Sequence, residues 1–118
     1  ELSTETADGE VTLRLADRDV LLVRDDIDMT ETTADTYDET VDIEVPVNSQ
    51  AVTLKRGYCV ADISVDGVDF TAVSTHLEST SKDVRSRQAE ELLSVLPSDR
   101  PIVVCGDFNS GPGAATET

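Results

Sequence analysis

The sequence predicts an α/β fold on three observations. Ile102-Val103-Val104-Cys105 is an unbroken apolar run that follows Pro101 and gives way to Gly106-Asp107-Phe108-Asn109-Ser110. Such a run reads as a strand buried on both faces, stopped by Gly111-Pro112-Gly113. Gly57 to Val65 and Val68 to His76 are strand-like segments joined by Asp66-Gly67, a strong two-residue hairpin signal. Between His76 and Pro97, Val84, Ala89, Leu92, Leu93 and Leu96 recur at helical spacing. The chain therefore carries a hairpin followed by a βαβ unit, whose crossover helix makes its two strands parallel.

The remaining elements follow in order. Val11 to Leu15 alternates apolar and polar residues and predicts a strand; Asp17-Arg18-Asp19 predicts a turn and Val20 to Val23 a short apolar strand. From Asp25 to Thr40 there are seven acids and no base, which predicts a solvated loop. Asp26, Asp28 and Glu31 lie in it, but the spacing and glycine of an EF-hand calcium loop are absent. Val41, Ile43 and Val45 predict a half-buried strand ending at Pro46, and Asn48-Ser49-Gln50 turns the chain into Val52 and Leu54. In the hairpin, a two-residue turn sets Val65 opposite Val68, Ile63 opposite Phe70, Ala61 opposite Ala72 and Cys59 opposite Ser74. One face is then almost wholly apolar. The same register sets Gly57 opposite His76, with Arg56 within reach. Ser79-Thr80-Ser81 supplies N-cap candidates, Asp83 suits the first helical turn, and Pro97 stops the helix. Arg85 and Arg87 ride on it.

The 118 residues fit one domain, with no stretch long enough to span a membrane and no visible signal peptide. The polar start, Glu1 to Glu10, reads as a segment cut from a longer chain. The balance of 25 acids against 9 bases, net −16, allows two readings. One is a surface that steers cations and repels nucleic acid. The other is adaptation to molar salt, where the Debye length is only about 3 Å and self-repulsion is screened. The acids are spread along the chain, Thr and Val are abundant, and Lys55 and Lys82 are the only lysines. A high-salt environment is therefore the expectation, and it leaves a phosphate-bearing substrate open. Cys59 and Cys105 match no zinc spacing and are expected as buried free thiols.

Topology makes a site of scattered residues. Parallel strands end on the same sheet edge, so His76 meets Asp107 and Asn109 there. Residues two apart on extended backbone point the same way, so Asp107 and Asn109 present a carboxylate and an amide together. Arg56 is the candidate substrate-binding cation, and Glu78 is expected as a solvated loop residue. A carboxylate that orients water or holds Mg²⁺, an amide donor and a near-neutral imidazole suit phosphoester cleavage. Acyl transfer is the rival chemistry, but Ser110 lacks a nucleophile elbow.

Thr75-His76-Leu77-Glu78, Arg87-Gln88-Ala89-Glu90-Glu91-Leu92-Leu93 and Gly106-Asp107-Phe108-Asn109-Ser110 together resemble the endonuclease/exonuclease/phosphatase superfamily. Leu13 to Leu22 and Lys55-Arg56-Gly57-Tyr58 look like stretches of its bacterial and archaeal members. The resemblance implies a four-layer α/β sandwich, two packed sheets with helices outside, and a phosphoesterase dependent on Mg²⁺ or Mn²⁺. It implies that Asp107 orients or activates the water, that Asn109 stabilises phosphoryl oxygens and that His76 contacts the phosphate. Asp107 is also the candidate metal ligand. Family members are longer, with a metal-binding Glu and an Asn upstream and an Asp-His pair downstream. Residues 1–118 are thus expected to be a single, incomplete domain of this kind. The leading expectation is a nuclease-like phosphodiesterase working by in-line water attack, with a phosphoester substrate that includes DNA or RNA. The alternative is a catalytically incomplete binding module. Aromatic platforms for bases are scarce: Tyr37, Tyr58, Phe70 and Phe108 are the whole set.

Overall fold

The computed structural model describes residues 2–6, 8–45 and 50–111. Its strands are β1 (Leu2–Thr6), β2 (Gly9–Leu13), β3 (Asp28–Thr36), β4 (Val41–Val45), β5 (Gln50–Leu54), β6 (Gly57–Val65), β7 (Val68–His76) and β8 (Ile102–Asp107), with one helix, α1 (Lys82–Val95). The class is α/β, and the hairpin β6–β7 precedes the βαβ unit β7–α1–β8 as the sequence predicts. β3, β6, β7 and β8 form one sheet in that order, while β1–β2 and β4–β5 are separate two-stranded ladders.

The β6–β7 turn has φ of 51° at Asp66 and 80° at Gly67, the positive pair that matches strand twist in a two-residue loop. It fixes Val65↔Val68, Ile63↔Phe70, Ala61↔Ala72 and Cys59↔Ser74. β7 and β8 then pair in parallel from Thr71↔Ile102 to His76↔Asp107. Rows of directly opposite residues share a face. Val60, Val73 and Val104 form one such row on the helix side; Ala61, Ala72 and Val103 form another on the far side.

α1 begins because Ser81, in extended conformation, accepts a hydrogen bond from the Val84 amide, and Asp83 sits in the first turn. It ends where Leu96 turns extended before Pro97. Leu92 is buried, and Ala89 and Leu96 join it against Tyr37, Tyr58, Val73 and Leu77, with Val104 and Phe108 closing the cluster. Leu93, expected on this stripe, is instead 56% exposed. The Tyr37 and Tyr58 rings pack tilted with centroids 5.1 Å apart.

Several expectations change. The acidic stretch after Asp25 is not a loop throughout: β3 runs through it as an exposed edge strand paired antiparallel to β6. Backbone pairing, not side-chain burial, holds it, so alternation gave no signal. Val20 to Val23 is not a strand, and the strand predicted at Val11 to Leu15 starts at Gly9 and ends at Leu13. β8 is half-buried on one face only: Ile102 and Val104 pack against the helix-side cluster, while Val103, on the face α1 does not cover, is 49% exposed. Cys105, expected buried, is exposed on that same open face, and both cysteines are free thiols. The strand end at Pro46, the turn at Asn48-Ser49 and the stop at Pro112-Gly113 lie outside the described residues.

Candidate active site

The site forms where β7 and β8 end together. His76 and Asp107 are partners in the parallel ladder, and His76 Nε2 lies 4.0 Å from Asp107 Oδ2. Gly106 lets the strands meet this closely: its φ is 151°, and a Cβ there would collide with the Thr75 carbonyl. β8 stops at Asp107, and Asn109 takes a left-handed φ of 49°. Asn109 therefore does not simply stand beside Asp107 on extended backbone. Its amide N–H donates to Asp107 Oδ1 at 2.9 Å, and its side-chain Nδ2 donates to the Leu77 carbonyl at 2.8 Å. The amide clamps the end of β8 to the residue after His76. Asp107 keeps its other oxygen, Oδ2, toward His76, and its side chain is 68% exposed.

Behind the imidazole stands a charged group that joins distant segments. Arg56 Nη1 and Asp17 Oδ2 each lie 3.1 Å from His76 Nδ1, and Arg56 and Asp17 are themselves hydrogen bonded. Guanidinium only donates and carboxylate only accepts, so Nδ1 meets one group of each kind. With a proton on Nδ1, it donates to Asp17; without one, it accepts from Arg56, and Nε2 presents its N–H toward Asp107. Burial raises the Asp17 carboxyl, but the Arg56 hydrogen bond and the nearby positive charges outweigh it and leave the group below its usual range. Asp19, by contrast, is pushed up by burial and by the charge of Asp17.

Glu78 is not a solvated loop residue. It is fully buried, and its Oε2 lies 3.7 Å from Arg56 Nε, an ionic contact rather than a hydrogen bond. Oε1 accepts from both the amide and the hydroxyl of Thr80 at 2.8 Å. Burial raises this carboxyl, and the two Thr80 donors with the Arg56 charge bring it below its usual range. Its backbone is held as well. Gln88, buried on α1, accepts from the Glu78 amide at 2.8 Å and donates to the Glu39 carbonyl, and Arg85 donates to the Glu78 carbonyl at 3.0 Å. Arg87 instead reaches Glu39, 3.3 Å away.

On the helix side, the Thr75 hydroxyl donates to the Gly57 carbonyl at 2.8 Å. Its one proton is thereby used, so Tyr37 is the donor in the 2.6 Å contact with Thr75. Burial pushes the Tyr37 hydroxyl up to about 12, which keeps it a donor. Gly57 leaves no room for more: a Cβ would come within 2.6 Å of the Asp35 carbonyl.

The four sequence candidates, His76, Asp107, Asn109 and Arg56, thus gather at one edge, and Asp17 and Glu78 join them. Asp17 had no signal, being one carboxylate among 25. Glu78 stood in the Thr75-His76-Leu77-Glu78 motif but was expected to face solvent. As for a metal, Asp107 Oδ2 is open enough to be one ligand. Among the described residues, however, no group of three His, Cys, Asp or Glu side chains could hold an ion. A divalent ion with six or more oxygen ligands needs donors beyond these residues or several waters.

No family model matches the chain, and no curated protein does. Solved structures do. The sheet and helix define an α/β fold shared with solved structures. One is the human Nocturnin catalytic domain with bound sulfate anion, at TM-score 0.50 and 21% identity over 76% of this chain and 33% of that one. A humanized D. rerio TDP2 carrying 14 mutations matches at TM-score 0.49 and 19% identity, over 73% of this chain and 34% of that one. The chain spans about a third of each. Among the described residues no helix is long and apolar enough to cross a membrane.

Proposed function

We propose that this chain belongs to a metal-dependent phosphoester hydrolase of the endonuclease/exonuclease/phosphatase superfamily, nuclease-like in that it cleaves phosphodiesters, including those of DNA or RNA. The observation that carries this reading is the pairing of His76 with Asp107 across the parallel ladder, 4.0 Å apart, with Asn109 clamped beside them. The motif resemblance and the fold shared with the Nocturnin domain support it, as does that domain's bound sulfate, a tetrahedral anion like phosphate.

In this reading Asp107 Oδ2 orients the attacking water and takes its proton as the water approaches phosphorus in line with the leaving oxygen. His76 Nε2 donates to a phosphoryl oxygen as charge builds there, its ring held from behind by Asp17 and Arg56. Asn109 keeps Asp107 and Leu77 in place. Arg56 adds positive charge next to the phosphate and steadies the imidazole. A bound Mg²⁺ or Mn²⁺ supplies charge neutralisation at the phosphoryl group. Asp107 would be its one carboxylate ligand from the described residues.

The test is hydrolysis of bis-p-nitrophenyl phosphate by the complete domain with Mg²⁺. Asp107→Ala lowers kcat by at least about 100-fold, the range for a lost general base, with an unchanged circular dichroism spectrum. Retained turnover removes Asp107 from the mechanism. The single-carboxylate metal set favours a second reading, a binding module that keeps the fold without catalysis. Millimolar Mg²⁺ separates the two: a specific site raises Tm in molar KCl at matched ionic strength, whereas an unchanged Tm supports the binding module.

A further inference from the structure

A groove of about 1110 Å³ opens beside the site and shares Asp17, Arg56 and Gly57 with it. Its walls are the irregular segment 14–20 on one side and the β4–β5 ladder, at Ile43 and Val52, on the other. The charge in this groove does not resemble the rest of the chain. Arg14, Arg18, Lys55 and Arg56 line it, four of the nine bases, against Asp17, Asp19 and Asp35, three of the 25 acids. Two of those acids are engaged, Asp17 by Arg56 and Asp35 by the Thr36 amide.

The state of the bases matters as much as their number. Outside the groove, Arg24, Arg87 and Arg100 pair with Asp26, Glu39 and Asp62, and Arg85 donates to the Glu78 and Ser79 carbonyls. There Lys82 alone is exposed without a carboxylate among the described residues. Inside it, Arg14, Arg18 and Lys55 are exposed, and none has a carboxylate partner among the described residues. In a protein this acidic, three exposed cations without a carboxylate partner line one groove. A small phosphoester seated at His76 and Arg56 leaves all three without a ligand.

We infer that this groove takes a nucleic acid single strand, Arg14, Arg18 and Lys55 contacting the phosphates that flank the one at His76. For its chemistry this rests on the phosphoester reading. The three cations line a groove that reaches His76 through Arg56, which suits a strand whose successive phosphates each need a cation. The large negative charge elsewhere is no obstacle to contact-range pairing in concentrated salt, where the field decays within a few ångströms. Tyr58 lines the groove but is only 6% exposed, so base stacking is not available from it. Binding is therefore through the backbone and indifferent to sequence.

The test is fluorescence anisotropy of a fluorescein-labelled twelve-nucleotide oligothymidine in EDTA, titrated over KCl concentrations at which the chain stays folded. Each neutralised phosphate contributes about −0.7 to the slope of log affinity against log salt. Replacing Arg14, Arg18 and Lys55 together with Gln is expected to weaken binding at least 30-fold at the lowest salt and to flatten the slope by about 2. Lys82→Gln, a cation remote on α1, leaves both unchanged. If the triple variant loses its circular dichroism, the single variants are read instead, each flattening the slope by about 0.7. Equal affinity and slope in wild type and variants, or an equal loss in Lys82→Gln, overturns the inference. So does binding to phosphatidylserine vesicles with no binding of the oligonucleotide. Because EDTA removes any need for turnover, the two readings fail separately. Oligonucleotide binding lost in the triple variant, with bis-p-nitrophenyl phosphate hydrolysis indifferent to Asp107→Ala, keeps this inference and rejects the mechanism. Hydrolysis that depends on Asp107, with no oligonucleotide binding, does the reverse.

Discussion

Glu78 shows how one side chain can be misread from sequence and then explain its surroundings. A charged residue after a strand normally faces water. This one is fully buried because Thr80 supplies two donors two residues on and Arg56 supplies the opposite charge. Removing one partner of such a buried pair leaves the other uncompensated, so Glu78→Gln is expected to cost about 3 kcal/mol. The pH dependence has a definite sign. The folded-state carboxyl lies below its ordinary value of 4.5, so its stabilisation is fully present above that pH and is lost as pH falls through the lower folded value. Melts at fixed KCl from pH 7 to pH 3 should show the wild type and Glu78→Gln far apart at neutrality and converging in acid. Parallel curves over that range would show that the carboxylate is not the stabilising form. Asp17 is the matching case at the site itself. Its bond to Arg56 spans 39 positions, and nothing local distinguishes it from the other acids; only the folded chain does.

Among the elements, what could be read in advance was what local chemistry dictates. Asp66-Gly67 fixes the hairpin register, Ser81 and Pro97 bracket the helix, and the crossover makes β7 and β8 parallel. Those three facts alone bring His76 to Asp107. The failures have a common cause in sheet position. β3 and β8 are the two edges of the sheet, and an edge strand need not follow the apolar pattern of a central one. β3 is polar and still pairs; β8 opens with four apolar residues and still leaves Val103 and Cys105 uncovered. A paired substitution tests the one-sided burial of β8. Val104→Ala should cost about 2 kcal/mol and Val103→Ala less than about 0.5 in urea unfolding. Equal costs would mean that both faces are packed. Gly106→Ala is expected to be costlier than either, about 3 kcal/mol, because the new methyl must displace the Thr75 carbonyl.

For the whole molecule, charge is the dominant fact. With a net of −16 on 118 residues, repulsion among the carboxylates opposes the compact state wherever it is not screened. We propose that this surface is built for high salt. Its Tm should then climb steadily from 0.1 M to 3 M KCl, with NaCl giving the same rise at equal ionic strength. A flat profile would leave the acidity to some other role. The uneven placement of the bases fits the same picture, since in concentrated salt a local cluster acts almost independently of the total.

The pairing of His76 with Asp107 has one more consequence. They are partners on one rung of a single ladder, and neighbouring strands in any sheet stand about 4.8 Å apart. The backbone separation of the two residues is therefore inherited from the lattice of the sheet rather than set by a loop, and only rotation of the side chains changes the gap between imidazole and carboxylate. A slip of β8 by one residue would carry Asp107 to the opposite side of the sheet, so the geometry has no intermediate setting. Whatever enters meets two groups on a fixed backbone, and adjustment during turnover falls to their side chains and to the ligand.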